Sequence, residues 1–148
     1  PVILVPPVHL KNEELISLVP LFANLSDDAL GTLARKVTSV SYLPGDIIVG
    51  EGEHGDALYI MVKGRVRVSH GSDKQETVLA DLVVGDFFGE MALLGTSIRK
   101  ATVTAIHACT LLRLRASEVM EIAKQKPEIG DYLERLKSDR EADSSDRG

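Results

Sequence analysis

Glycine recurs at short intervals between residues 42 and 115, where it separates short runs rich in valine, isoleucine and leucine. Polar and apolar residues alternate at 65–68 and 112–115, so one face of each run is expected to be buried and the other to face water. Evenly spaced short strands with glycine turns are typical of a sheet closed into a roll or jelly-roll barrel. The predicted strands cover residues 47–49, 57–62, 65–69, 77–82, 101–107 and 110–114.

Helical patterns flank this region on both sides. Ser26, followed by two aspartates, predicts the N-cap and acidic first turn of a helix. Pro127 predicts the start of a last helix, whose apolar stripe comprises Ile129, Tyr132, Leu133 and Leu136. We therefore expect an α+β chain with one domain over residues 1–148. Its predicted parts are N-terminal helices at 11–40, a roll at 41–115, C-terminal helices at 116–140 and a disordered, charged tail at 141–148.

The amino-acid composition limits the range of functions that the chain can have. Only 4% of the 148 residues are aromatic and 44% are hydrophobic, so the core must be mainly aliphatic. The net charge of −5 argues against a nucleic-acid partner and against docking on anionic lipid. The single cysteine, Cys109, lies in an apolar run and is interpreted as a small buried residue, which fits a reducing, cytoplasmic location. No run approaches the roughly 18 apolar residues of a membrane helix. Because the chain begins at Pro1, we expect it to be a segment of a longer protein.

Residues 87–103 carry the pattern that points most directly to a ligand. Gly89 has no Cβ and permits close approach of the backbone to a ligand. The turn that begins near Glu90 leaves its first amide groups free to hold an anion. Arg99 follows nine residues later and offers a planar set of donors suited to phosphate. Glu90 is unsuited to phosphate but is a good acceptor for sugar hydroxyls, so the segment predicts a pocket for a sugar phosphate.

This segment resembles the phosphate-binding cassette of the cyclic nucleotide-binding domain family. The residues that match are Phe88, Gly89, Glu90, Ala92, Leu93, Arg99 and Ala101. Within the family, the chain is most similar to the domains of prokaryotic cyclic-nucleotide-gated potassium channels. It departs from the pattern at Lys100, where relatives often carry Ala, Ser or Thr, and at Ile98, where many carry Pro.

The resemblance implies an eight-stranded antiparallel β-roll, jelly-roll-like, flanked by N-terminal helices and two C-terminal helices. It implies a 3′,5′-cyclic nucleotide as the ligand, with cAMP favoured over cGMP because Lys100 has no hydroxyl to serve a guanine. It also implies that the last helix moves and acts on an attached effector, an ion channel or transporter, in the cytoplasmic part of a membrane protein.

The same resemblance implies which residues bind the ligand. Arg140, thirteen residues after Pro127, is expected to cover the purine as a lid. The purine is expected to lie against Val68, Ala80 and Met91. The complete implied set is Phe88, Gly89, Glu90, Met91, Ala92, Arg99, Lys100, Ala101, Val68, Ala80 and Arg140.

Other functional classes fit the sequence less well. A metal-dependent enzyme on a similar barrel would need clustered ligands, but the four histidines are scattered and form no His-x-His pair. No Ser–His or Cys–His pair has supporting context, so no catalytic residue, metal or cofactor is predicted. A transcription regulator would need a helix-turn-helix, for which the 21 residues after Pro127 are too few, although the chain could be its sensor part. A degenerate domain used only for protein contacts or dimerisation is opposed by the intact Glu90 and Arg99.

Overall fold

The computed structural model describes residues 11–19, 22–71, 74–94 and 97–147, apart from the side chains at 97, 136 and 139–147. Helices cover Asn12–Ser17 (α1), Asp27–Lys36 (α2), Ala116–Ala123 (α3) and Pro127–Arg147 (α4), and a 3-10 helix covers Glu90–Leu94. The strands are β1 (Thr38–Tyr42), β2 (Ile47–Val49), β3 (His54–Gly55), β4 (Ala57–Lys63), β5 (Val66–His70), β6 (Thr77–Leu82), β7 (Phe87–Phe88), β8 (Ser97–Ile98), β9 (Thr102–Ala105) and β10 (Cys109–Arg115).

Two antiparallel four-stranded sheets form the roll, with strand orders β1-β10-β4-β7 and β2-β9-β5-β6. These eight strands and the flanking helices confirm the predicted fold class. Two additional strands, β3 and β8, pair with each other in a separate ribbon. The sequence did not predict this ribbon because strands of two residues are too short to show an alternating pattern.

The roll begins earlier than the predicted boundary at residue 41. Strand β1 starts at Thr38, which pairs with Arg113, and continues to Tyr42, which pairs with Cys109. Thr38 and Val40 are β-branched and favour an extended backbone, so the end of α2 is followed directly by a strand.

The core has two parts, and both are mainly aliphatic. One lies between the helices and the first sheet, where Leu33, Leu114 and Ile129 are fully buried together with Phe22. The other lies inside the roll, where Met61, Leu111 and Val103 pack together with Cys109. Cys109 is 2% exposed, as expected from its position in an apolar run. Burial raises the pKa of its thiol, which therefore stays protonated and unreactive at neutral pH.

The N-terminal and C-terminal helices are joined at the start of α2. The Ser26 side chain accepts a hydrogen bond from the Ala29 amide at 3.2 Å, which confirms the predicted N-cap. The Ser26 hydroxyl donates to the Glu128 carboxylate at 2.6 Å, and Asp28 forms an ion pair with Lys126. The Glu128 charge also lies at the N-terminal end of α2, where the helix dipole favours a negative group. Both contacts link α2 to the junction between α3 and α4.

Helix α4 differs from the sequence-based expectation at its end. It continues to Arg147, so residues 141–147 are helical where the sequence predicted a disordered tail. The charged composition suggested disorder, but this stretch contains neither Pro nor Gly before Gly148 and includes the good helix formers Glu and Ala. No residue in it therefore ends the helix that Pro127 begins.

Replacing Ser26→Ala should lower the free energy of unfolding by about 1–2 kcal/mol, because the cap of α2 and the donor to Glu128 are lost together. Chemical denaturation monitored by circular dichroism measures this change. Ser138→Ala is the matched control, since Ser138 is exposed on α4 and makes no hydrogen bond among the described residues. Equal stability of the two variants would show that the cap contributes nothing.

Candidate functional site

A cavity of about 250 Å³ lies between the 3-10 helix and strands β2, β5 and β9 of the second sheet. One wall is apolar, because Val103 on β9 pairs with Val49 on β2 and with Val68 on β5. The opposite wall comes from the segment that the sequence singled out. The lining residues are Val49, Val68, Phe88, Gly89, Glu90, Met91, Ile98, Arg99, Lys100, Ala101 and Val103.

Arg99 is the most unusual residue of the cavity. It is only 9% exposed, although arginine is almost never buried unless it is paired. One Nη donates to the Ala57 carbonyl oxygen at 2.9 Å, and Nε is buried with no partner among the described residues. A guanidinium has five N–H donors, so this side chain retains unused hydrogen-bonding capacity beside the cavity.

Two glycines make room for the guanidinium. A Cβ at position 55 would overlap Nε and Cζ of Arg99. Gly89 has a φ of +85°, and a Cβ there would overlap Nη1 of Arg99 and lie 2.7 Å from the Ala57 carbonyl oxygen. In the structure, the missing Cβ of Gly89 makes room for Arg99, and the close approach of a ligand to this glycine stays a prediction.

The ribbon formed by β3 and β8 holds the backbone of Arg99. His54 pairs with Ile98, and Gly55 pairs with Ser97. The Arg99 amide then donates to the Glu53 carbonyl at 2.8 Å, and its own carbonyl accepts from the Gly52 amide at the same distance. The backbone amide and the backbone carbonyl of Arg99 are thus both held by the loop that also supplies Gly55.

Burial dominates the electrostatics of Arg99. Loss of solvation lowers the pKa of its guanidinium, and Tyr59, Asp56 and Glu53 act in the opposite direction. None of these acidic groups forms an ion pair with Arg99 within the described part of the chain. An arginine remains charged in any case, so the cavity presents a partly desolvated positive charge that favours an anion.

Glu90 is the first residue of the 3-10 helix and is half-buried. Burial raises the pKa of its carboxyl group, and no described residue donates a hydrogen bond to it. The first hydrogen bond of the helical turn runs from the Ala92 amide to the Gly89 carbonyl at 3.1 Å. The amides of Glu90 and Met91 come before Ala92 in the chain and take no part in this bond. The cavity therefore combines a cation, a hydrogen-bond acceptor and backbone amides.

Phe88 is held in place by an aromatic partner. Its ring is stacked on Tyr59 with centroids 5.0 Å apart and planes within 11°. Strand β7, which carries Phe88, pairs with β4, and in this pairing Phe88 lies opposite Tyr59. The stacking fixes the chain just before Gly89 and so helps to orient the 3-10 helix.

Eight of the eleven sequence-predicted ligand-binding residues line the cavity, two do not, and the side chain of one is not described. Ala92 is completely buried in the protein rather than in the cavity wall, and its amide is used within the turn. Ala80 is exposed on β6, where it pairs with Val68, and it does not reach the lining. The side chain of Arg140 lies outside the described residues. Those that do line the cavity are Phe88, Gly89, Glu90, Met91, Arg99, Lys100, Ala101 and Val68.

Sequence reasoning missed Gly55 and Ala57, which enclose the Arg99 guanidinium from a segment more than forty positions earlier in the chain. The only local signal was the density of glycines at 50, 52 and 55. Such density indicated turns and did not indicate which side chain the turns would enclose.

Two other observations concern the nature of the site. Across the described ranges, no group of three or more His, Cys, Asp or Glu residues is arranged to hold a metal ion. No helix in the same ranges is long and apolar enough to cross a membrane.

Replacing Gly89→Ala should lower the free energy of unfolding more than Gly45→Ala does. Both glycines have positive φ, +85° and +93°, so alanine should cost about 1–2 kcal/mol at either position. A Cβ at Gly45 has nothing within 4 Å, whereas one at Gly89 overlaps Arg99. We expect an excess of at least about 1 kcal/mol for Gly89→Ala in urea denaturation. Equal losses would contradict the packing role of this glycine.

The fold and the cavity can be compared with known proteins. The family model described as "Cyclic nucleotide-binding domain" matches residues 39–126. A cyclic nucleotide-gated potassium channel of Rhizobium etli is 34% identical over 130 residues, which are 88% of this chain and 35% of that protein. The chain thus spans about a third of the length of this curated relative.

Solved structures agree with this result. The N-terminal domain of a transcriptional regulator from Streptomyces coelicolor has a TM-score of 0.79 at 29% identity, with 90% of this chain and 94% of that chain covered. A structure described as cAMP-bound PfPKA-R has a TM-score of 0.70 at 31% identity, with 76% of this chain and 40% of that chain covered. On the family match and these similarities, the chain belongs to the cyclic nucleotide-binding domain family.

Proposed function

We propose that the cavity binds a 3′,5′-cyclic nucleotide and that this domain is a regulatory sensor rather than an enzyme. The observation that carries the proposal is the buried Arg99, which has unused N–H donors and no acidic partner among the described residues. A cyclic phosphate carries a single negative charge and would supply the missing acceptor. Glu90, on the same wall, would accept a hydrogen bond from the ribose 2′-hydroxyl.

The purine would lie against the apolar wall of the cavity. Val68 and Met91 both line it, and a planar aromatic base buries well against aliphatic groups. Lys100 is exposed and has no hydroxyl to bond a guanine, so the proposal favours cAMP over cGMP. The solved relative PfPKA-R is described as bound to cAMP, which supports the choice.

The proposed readout is a movement of α4. We place the domain in the cytoplasmic part of a longer protein, where it acts on an attached ion channel or transporter. The support is the similarity to the channel of Rhizobium etli, of which the matched region is only a part. The domain would partner a cyclic nucleotide and its own effector, without nucleic acid and without inserting into the bilayer itself.

A transcription regulator is the second candidate effector. The similarity to a regulator domain from Streptomyces coelicolor covers 94% of that domain and favours it. The net charge of −5 opposes direct contact of this domain with DNA, but it does not oppose attachment to a separate DNA-binding domain. Both candidates share the same ligand chemistry and differ only in what the domain controls.

Isothermal titration calorimetry with cAMP, cGMP and cyclic di-GMP tests the ligand directly. The Arg99→Ala variant should bind cAMP at least about tenfold more weakly, because hydrogen bonds to charged groups contribute roughly 1.5–3 kcal/mol. Arg99→Lys should restore only part of the affinity, since an ammonium group lacks the planar fork. Arg35→Ala, at an exposed arginine on α2, is the control. Wild-type affinity in both Arg99 variants would exclude the proposed phosphate contact.

Truncation tests the proposed lid. Removing residues 138–148 should weaken cAMP binding several-fold, because Arg140 would no longer cover the purine by cation–π stacking. Removing only residues 141–148 retains Arg140 and should leave the affinity unchanged. Hydrogen exchange of residues 129–140 should also slow when cAMP binds. Identical exchange with and without the nucleotide would rule out the lid.

A further inference from the structure

Tyr132 on α4 has an unexpected environment for a tyrosine. It is 3% exposed, and its hydroxyl is buried without a hydrogen-bond partner among the described residues. Buried hydroxyl groups almost always have a partner, because leaving one unpaired costs roughly 1–3 kcal/mol. A phenylalanine would fill the same space without this cost. The hydroxyl is therefore the feature that requires an explanation.

The ring of Tyr132 is held firmly. Its centroid lies 5.1 Å from that of Phe22, with the planes tilted by 49°. Helix α4 packs against α3 and against the 3-10 helix that begins at Glu90. The ring is thus packed in the core between the helices and the first sheet, beside Phe22, which lies between α1 and α2.

Glu90 begins the 3-10 helix against which α4 packs. Burial raises the pKa of Tyr132, and the negative charge of Glu90 raises it further. The Glu90 carboxyl group is itself half-buried and accepts no hydrogen bond from a described residue. A buried donor without an acceptor on α4 is thus matched by a half-buried acceptor without a donor on the 3-10 helix against which α4 packs.

We propose that Tyr132 is a positioning residue for Glu90 in the ligand-bound protein. Its hydroxyl donates to one carboxylate oxygen of Glu90, and the other oxygen accepts from the ribose 2′-hydroxyl. A carboxylate has two oxygens and about four lone-pair sites, so both bonds can form at once. The inference rests on the proposed binding of a cyclic nucleotide and deepens it, because it links the ribose contact directly to α4.

The linkage has a thermodynamic consequence. In this arrangement the ribose 2′-hydroxyl and the Tyr132 hydroxyl each bind one carboxylate oxygen of Glu90. A hydrogen bond at one oxygen therefore fixes the rotamer of Glu90 and orients the second oxygen for its own partner. The coupling is reciprocal, so a ligand with a 2′-hydroxyl stabilises the docked position of α4 more than a ligand without it. A purely structural tyrosine would not distinguish these two ligands.

Calorimetry with cAMP and 2′-deoxy-cAMP separates the two roles. Tyr132→Phe should weaken cAMP binding about three- to tenfold, which corresponds to the loss of one hydrogen bond, and should leave 2′-deoxy-cAMP binding unchanged. Glu90→Gln should reduce the difference between the ligands, and adding Tyr132→Phe to it should have little further effect. Tyr42→Phe, on the first sheet and outside the cavity lining, is the control.

The outcomes distinguish the inference from the proposed function. Wild-type protein that binds no cyclic nucleotide would overturn both. Wild-type binding together with equal losses for both ligands in Tyr132→Phe, or no loss for either, would overturn only the positioning role. A measurement on unmodified protein gives a second check: at saturation, cAMP should slow hydrogen exchange in residues 129–137 more than 2′-deoxy-cAMP does. Equal hydrogen exchange with the two ligands would likewise overturn the proposed positioning of Glu90 by Tyr132.

Discussion

A single buried charge organises the cavity. Removing the Arg99 guanidinium from water costs free energy. The hydrogen bond to the Ala57 carbonyl satisfies only one of its N–H donors. The surrounding chain is arranged to accept that side chain: glycines at 55 and 89 leave space for it, and the ribbon of β3 and β8 fixes its backbone. Nε of Arg99 has no partner among the described residues, so the guanidinium keeps hydrogen-bonding capacity beside the cavity. In the proposed function, the ligand completes an arrangement that the protein leaves incomplete.

Most of the architecture could be predicted from the sequence. Alternating short runs and regular glycine turns predicted the roll, and Ser26 predicted the start of α2. Periodic patterns succeed here because each strand or helix buries one face independently of its distant neighbours. The pairing of β3 with β8 could not be predicted, because strands of two residues are too short to show an alternating hydrophobic pattern. The extent of α4 was also misjudged, because a charged composition indicates solvent exposure and does not by itself exclude a helix.

The site was predictable to the extent that it is contiguous in sequence. Glu90 and Arg99 belong to one short segment, and they do line one cavity. The surroundings of Arg99 were not accessible in the same way, because Gly55 and Ala57 reach it only through the folded topology. Resemblance placed Ala92 and Ala80 in the site without indicating burial. One is enclosed in the core and the other faces solvent. Similarly, the apolar stripe of α4 included Tyr132 but could not show where its hydroxyl points.

The burial of Cys109 gives this domain a practical advantage for spectroscopy. It is the only cysteine of the chain, and it is enclosed within the roll with its thiol protonated. A maleimide reagent reacts with thiolates that are accessible, so the native residue should remain unlabelled in the folded protein. A cysteine introduced at the exposed Ser138 would then carry a fluorophore or spin label alone, and the native thiol would not have to be removed first. The mobility and the environment of such a probe on α4 can therefore be followed in a protein whose core is unaltered.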